Sequence, residues 1–211
     1  MAFEGYFASA VALGIAGDTS PNLLWRIRHE EFATLRPKVW WINIGHNDLF
    51  STNCSEEITI MGILRIVEEL LMRDDDAKIV INSLLPVAMQ KSMILQELDD
   101  RSRGSSAGEN VRNMYWYSIN KVNDVLKVFA NKHLMVKFFD ATDFLTVTDK
   151  NHLYMDKDMF VDKMHLSHRG HYHLAKAQAD ALGHILKELD ERKDIHDDLL
   201  YYHNFVVDDW F

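Results

Sequence analysis

The stretch Lys38-Val39-Trp40-Trp41-Ile42-Asn43-Ile44-Gly45-His46-Asn47-Asp48 decides how the rest of the chain is read. Its first seven residues are almost continuously apolar and rich in β-branched and aromatic side chains. A strand of that composition is buried on both faces, the condition of a strand inside a parallel sheet. Adjacent strand residues point opposite ways, so Trp40 and Trp41 are expected in core layers on either side of the sheet rather than together as a binding platform. The glycine and polar residues that follow lie at the carboxyl end of that strand. In an open α/β sheet this is the edge where ligands bind.

Working outward, residues 11–15 read as an earlier strand. Ser20 as N-cap and Pro21 at the first helical position then open a helix through Leu23, Leu24, Ile27 and Phe32 that ends before Pro37. Downstream, Ser55 with Glu56 and Glu57 caps a helix whose Ile60, Ile63, Leu64, Val67 and Leu71 recur at helical spacing. Residues 78–85 form a strand closed by Pro86, residues 115–131 a helix, residues 135–139 a short strand, and Ser167 caps a last helix to about Lys193. Strands alternating with helices predict an α/β domain with a parallel sheet. The charged, glycine- and serine-containing stretch 90–110 reads as a mobile surface loop. Residues 1–193 are expected to form one domain, and the apolar tail 194–211 to pack on it or on a partner.

Bulk properties narrow the function classes. A chain of 211 residues, 47% hydrophobic, can bury the core of a single domain. A net charge of −9 argues against nucleic acid and gives no support for an anionic membrane surface. No run of about 18 apolar residues exists, so no transmembrane helix is expected. The apolar opening lacks a basic leader region, carries Glu4 and runs into a needed motif, so it reads as mature protein. The single cysteine, Cys54, excludes an internal disulfide framework, and a buried apolar site is its expected fate. The Asn53-Cys54-Ser55 sequon is close to a chance match.

Three blocks carry chemistry. Gly14-Ile15-Ala16-Gly17-Asp18-Thr19-Ser20-Pro21 leads through glycines into a helix N-terminus, where backbone N–H groups and the helix dipole favour negative charge. Gly45-His46-Asn47-Asp48 places a side-chain amide, a donor to an oxyanion, at the carboxyl end of a strand. Asp162-Lys163-Met164-His165 puts a carboxylate three residues before an imidazole, within reach of its Nδ1–H across a turn. Each alone is ordinary turn chemistry; their joint occurrence in this order, each at a strand end, raises a catalytic reading above the bland one.

The blocks resemble those of the SGNH (GDSL) hydrolases, with the likeness greatest to the branch of the platelet-activating factor acetylhydrolase Ib catalytic subunits and related O-acyl esterases. Gly14-Ile15-Ala16-Gly17-Asp18-Thr19 with Leu24-Trp25-Arg26 is similar to that branch's second block. Gly45-His46-Asn47-Asp48 is similar to the third, and Asp162-Lys163-Met164-His165-Leu166-Ser167 to the fifth. Leu84-Leu85-Pro86 and Ile119-Asn120-Lys121-Val122-Asn123 match lesser landmarks, and 90–110 looks like an insertion. The resemblance implies a three-layer, flavodoxin-like domain that hydrolyses a carboxylic ester with a short acyl group, on a small-molecule, lipid or sugar alcohol. It implies Gly17 N–H and the Asn47 amide as oxyanion-hole donors, His165 as general base and acid, and Asp162 as its orienting partner. It implies neither metal nor organic cofactor, and by analogy a homodimer. The cytoplasm is the favoured compartment, although any leader would have been lost with the block discussed next.

That block is the family's Gly-Asp-Ser, which supplies the nucleophile at the end of the first strand. Sixteen residues precede Gly17, too few for that strand and its crossover helix as well as the strand at 11–15. The nucleophilic serine is therefore expected outside the 211 residues. Ser20 is better explained as a helix cap, and nothing places Ser9 beside His165. Loss of a central strand would leave open edges, which favours a fragment over an evolved inactive protein. The rival class is an inactive binding module that kept the fold. A metal site at His165, His168, His171 and His173 is the weaker rival, because no further ligand spacing supports it.

Overall fold

In a computed structural model, residues 10–29, 32, 34–74, 76–88, 93–97, 113–149 and 152–205 are described, with side chains as far as Glu191. The central sheet is built from β1 (Val39–Ile42), β2 (Lys78–Asn82) and β4 (Val136–Phe139), all parallel, in the order β1-β2-β4. β2 is the middle strand and every residue of it is buried: the apolar centre Ile79-Val80-Ile81 as expected of an inner strand, and Lys78 at its start with Nζ donating to Leu134 O. Among the described residues β1 pairs with β2 on one side only, and its other edge is open.

Helices cover both faces. α1 (Ser20–Arg28), α3 (Glu56–Arg73) and α4 (Met114–Asn131) bury Ile27, Ile63, Ile66, Leu70, Ile119 and Leu126 against Trp40, Ile42, Ile79 and Ile81. On the opposite face α5 (His168–Phe205) lays Ile185 and Leu189 over Val80, with Trp41 and Phe139 alongside. The two tryptophans therefore do face opposite layers, Trp40 buried and Trp41 half-buried. Glycine is required where α3 meets α1: a Cβ on Gly62 would stand 2.0 Å from Ser20 Oγ.

Caps follow local chemistry. Ser55 Oγ accepts from Ile58 N–H, and Asn113 Oδ1 from Trp116 N–H, at the starts of α3 and α4. Ser167 Oγ accepts from Gly170 N–H at the start of α5. α1 differs from expectation: its N-cap is Thr19, and Ser20 is the first helical residue, its hydroxyl engaged elsewhere. The same helix ends at Arg28, so Phe32 packs from the loop that follows.

Several further expectations need correction. Residues 11–15 form no strand: Val11 and Ile15 are 69% and 55% exposed, and no described strand lies beside them. Strand propensity cannot form a strand without a partner for its backbone groups. A second, antiparallel sheet was not anticipated, in the order β3-β6-β5 from β3 (Ile94–Glu97), β6 (His152–Met155) and β5 (Thr146–Asp149). β3 falls inside the stretch read as a mobile loop, most of whose other residues lie outside the described ones. α5 continues past Lys193 to Phe205, so 194–205 is helix, while 206–211 lies outside the described residues. Cys54 is half-buried in the turn before α3, with Sγ 3.3 Å from Thr52 Oγ1, rather than in the core. No helix among the described residues is long and apolar enough to cross a membrane.

Candidate active site

The sequence from Gly17 to Ser20 turns sharply and is tied to the carboxyl end of β1 by two neighbouring side chains. Gly17 has φ +86°, and Asp18 N–H closes the turn on Ile15 O. Asn47 Nδ2 donates to Asp18 O at 2.9 Å, and Asn47 Oδ1 accepts from Ser51 Oγ at 3.1 Å. An amide nitrogen carries two protons, so one remains for a ligand. Asp48 is buried and accepts both the N–H and the hydroxyl of Ser20, at 3.0 and 2.5 Å. The short helix α2 (His46–Phe50) that carries both residues starts at Gly45, whose φ of +120° few side chains tolerate.

An ion pair supports the same turn. Arg26, 6% exposed, donates to the Asp18 carboxylate at 2.5 Å and also to Leu13 O, with its guanidinium 5.7 Å from the Phe32 ring. The roles of Asp48, Arg26 and the Asp18 side chain were missed in the sequence. Their signal was present: charged residues set among apolar ones, which are buried only when paired.

Asp162 and His165 meet as their spacing predicts. Asp162 Oδ2 lies 2.8 Å from His165 Nδ1, while Oδ1 accepts the backbone N–H groups of Met164 and His165, each at 2.7 Å. The His165 backbone bond, its ring bond and the Met164 bond, in that order, lower the Asp162 carboxyl to about 2. An ionised Asp162 accepts from Nδ1–H, which leaves the lone pair on Nε2. The His165 side chain is 72% exposed, so that lone pair is accessible.

The loop after β2 joins the two halves. His46 Nε2 lies 3.0 Å from Leu85 O, and Ala88 N–H donates to Lys163 O at 3.0 Å. The loop itself is clamped: Asn123 binds both the N–H and the C=O of Leu84, Asn113 Nδ2 donates to Val87 O, and Ser83 Oγ accepts from Ala141 N–H. The landmarks Leu84-Leu85-Pro86 and Asn123 thus meet in space.

Six serines are described, and each hydroxyl is engaged away from His165. Ser20 bonds Asp48, Ser51 Asn47, Ser55 the N–H of Ile58, Ser83 the N–H of Ala141, Ser118 Glu56, and Ser167 the C=O of Asp158. Ser9, Ser92, Ser102, Ser105 and Ser106 lie outside the described residues. His168, His171 and His173 are exposed, and among the described residues no three His, Cys, Asp or Glu side chains are grouped to hold a metal ion.

This arrangement can be set beside known proteins. A match to the GDSL-like Lipase/Acylhydrolase family spans residues 3–173, most of the chain. The chain belongs to the GDSL-like lipase/acylhydrolase family. Family membership makes it a relative of carboxylic ester hydrolases with an α/β fold. It is 29% identical over 189 residues to the platelet-activating factor acetylhydrolase IB subunit alpha2 of Homo sapiens, covering 87% of this chain and 69% of that protein. Its fold is similar to that of a GDSL-like lipase from Bacteroides thetaiotaomicron, with TM-score 0.63 at 20% identity, covering 89% of this chain and 81% of that one. It is similar also to a carbohydrate esterase family 3 protein from Talaromyces cellulolyticus, with TM-score 0.60 at 13% identity, covering 83% and 71%.

Proposed function

We propose that this chain carries the oxyanion-binding and general-base part of a serine esterase that cleaves a short acyl group, such as acetyl, from its alcohol. The observation that supports it most is the Asp162–His165 pair, with Nδ1 engaged and Nε2 accessible, on the same loop cluster as the Gly17–Asn47 turn. The family's name and that of the acetylhydrolase relatives support ester hydrolysis and a short acyl group.

In this reading a serine Oγ attacks the acyl carbon while its proton passes to His165 Nε2. The tetrahedral oxyanion accepts hydrogen bonds from Gly17 N–H and the free Asn47 Nδ2–H. Collapse breaks the bond to the alcohol oxygen, which takes the proton from His165 Nε2. Water then repeats the sequence on the acyl-enzyme and releases the carboxylic acid. Asp162 keeps the imidazole in its Nδ1–H tautomer and stabilises the imidazolium.

The nucleophile is a serine that the 211 residues do not contain, carried on a strand that pairs with the open edge of β1. The six engaged serines support this, as does the edge itself. The test is to translate the transcript upstream of Met1 and assay the encoded protein on p-nitrophenyl acetate. An in-frame strand ending in Gly-Asp-Ser, with hydrolysis abolished by His165→Ala, is expected. Hydrolysis that survives His165→Ala would reject the mechanism, and a chain that truly starts at Met1 and binds esters without turnover would establish the binding-module reading.

A further inference from the structure

His46 occupies the variable position of Gly45-His46-Asn47-Asp48, and the chemistry above gives it no task. Its ring is half-buried, packs 6.1 Å from Phe50, and through Phe50 meets Tyr115, whose ring centroid is 4.7 Å from that of Phe50. Desolvation lowers the imidazole below its ordinary value, against the opposing bond to Leu85, and so favours the uncharged ring. Among the described residues its polar contact is Nε2 to Leu85 O at 3.0 Å, which requires the proton on Nε2.

The position of that bond gives it meaning. His46 directly precedes Asn47 on a helix of five residues whose N-cap, Gly45, offers no side-chain bond. Leu85 lies three residues before Ala88, whose N–H holds Lys163 O, and Lys163 sits between Asp162 and His165. A continuous path therefore runs from the oxyanion side to the imidazole side, and the His46–Leu85 hydrogen bond is its first link.

We propose that His46 is a positioning residue: its Nε2–H···O=C bond to Leu85 fixes the spacing between Asn47 and His165. The importance of that spacing rests on the esterase reading. The hydrogen bond itself does not.

The competing explanation is a histidine that merely fills space in the core. His46→Leu keeps the volume and loses the donor; His46→Gln keeps an N–H at the matching position. Two signals are read by NMR on the 15N-labelled 211-residue protein: hydrogen-exchange protection of Ala88 N–H, and the acetate dissociation constant from the Asn47 side-chain amide. His46→Leu is expected to lower Ala88 protection about tenfold and weaken acetate at least about fivefold, as for loss of a partly buried hydrogen bond. His46→Gln should lie within about twofold of the unsubstituted protein on both. Unchanged Ala88 protection in His46→Leu, or equal losses in both variants, would overturn the proposal. Acetate that leaves Asn47 unshifted in the unsubstituted protein would count against the esterase reading alone, with Ala88 still deciding the role of His46. Should His46→Leu not fold, the ring nitrogen shifts of the unsubstituted protein decide it: a proton on Nδ1 instead of Nε2 would overturn it.

Discussion

Asn123, on α4, grips Leu84, on the loop after β2, by both backbone groups: its Oδ1 accepts from Leu84 N–H at 2.8 Å and its Nδ2 donates to Leu84 O at 3.0 Å. Leu84 is fully buried and Asn123 nearly so, and water cannot replace either bond cheaply. The loop so held carries Leu85 and Ala88, the contacts between the two halves of the candidate site.

Asn123→Ala should therefore destabilise the fold by about 2–4 kcal/mol, because it strands a buried donor and a buried acceptor. Asn123→Asp can still accept from the N–H but sets a carboxylate against the C=O, and it should not restore stability. Urea denaturation of the three proteins checks both statements.

Asp48 presents a similar case. It accepts the Ser20 N–H and hydroxyl inside the core, so Asp48→Ala leaves two buried donors without an acceptor. A loss of about 2–4 kcal/mol is expected in the same assay. Asp48→Asn keeps one acceptor oxygen and should lose less.

Gly62→Ala should be costly for a steric reason. The added methyl would overlap Ser20 Oγ at 2.0 Å and its Cβ at 2.8 Å, and Ser20 is held by Asp48 and cannot give way. Overpacking of this kind costs about 1–3 kcal/mol or more, which would appear as a lower Tm. Gly183, where a Cβ would meet nothing within 4 Å, is the control: Gly183→Ala should not destabilise.

The Asp162 carboxyl, lowered to about 2 by its bonds to the His165 and Met164 turn, gives a pH prediction. A depressed carboxyl favours the folded turn above its unfolded value of about 4, and the benefit fades as pH falls toward 2. The pair should thus persist throughout the range in which esterases are assayed. Carbon NMR of the Asp162 carboxyl should show the chemical shift of an ionised carboxylate at pH 4 as at pH 8; conversion to the shift of the neutral acid within that window would contradict the geometry. Asp162→Asn should disturb the His165 ring nitrogen shifts, which report the ring's tautomer directly.

How much of this was legible in the sequence depended on whether the information was local. β1 and β2 announced themselves through consecutive β-branched and aromatic residues, Val39-Trp40-Trp41-Ile42 and Ile79-Val80-Ile81, and β4 through Val136 and Phe138-Phe139. Ser55 announced its helix because capping acts within one turn. The Asp162–His165 pair, three residues apart, could be read directly. Residues 11–15 misled because a strand needs a neighbour, and none of the described residues supplies one. The hairpin of β5 and β6 left only the short β-branched run Thr146-Val147-Thr148 as a signal, because each strand has four residues and its partner lacks such a run. The Asp18–Arg26, Asp48–Ser20 and Asn123–Leu84 contacts join residues distant in sequence or unremarkable in type, and only the fold brings them together. Ser20 shows the limit: read as a helix cap, it is a serine whose hydroxyl points across 28 residues of sequence to Asp48.

The most direct test of the central claim is fluorophosphonate labelling followed by mass mapping of the modified peptide. The 211-residue protein should remain unlabelled, Ser9, Ser92, Ser102, Ser105 and Ser106 included. A protein extended by the Gly-Asp-Ser strand proposed above should label at that serine alone, and His165→Ala should slow the labelling by orders of magnitude. A label on any serine of the 211 residues, or one whose rate ignores His165, would contradict the account.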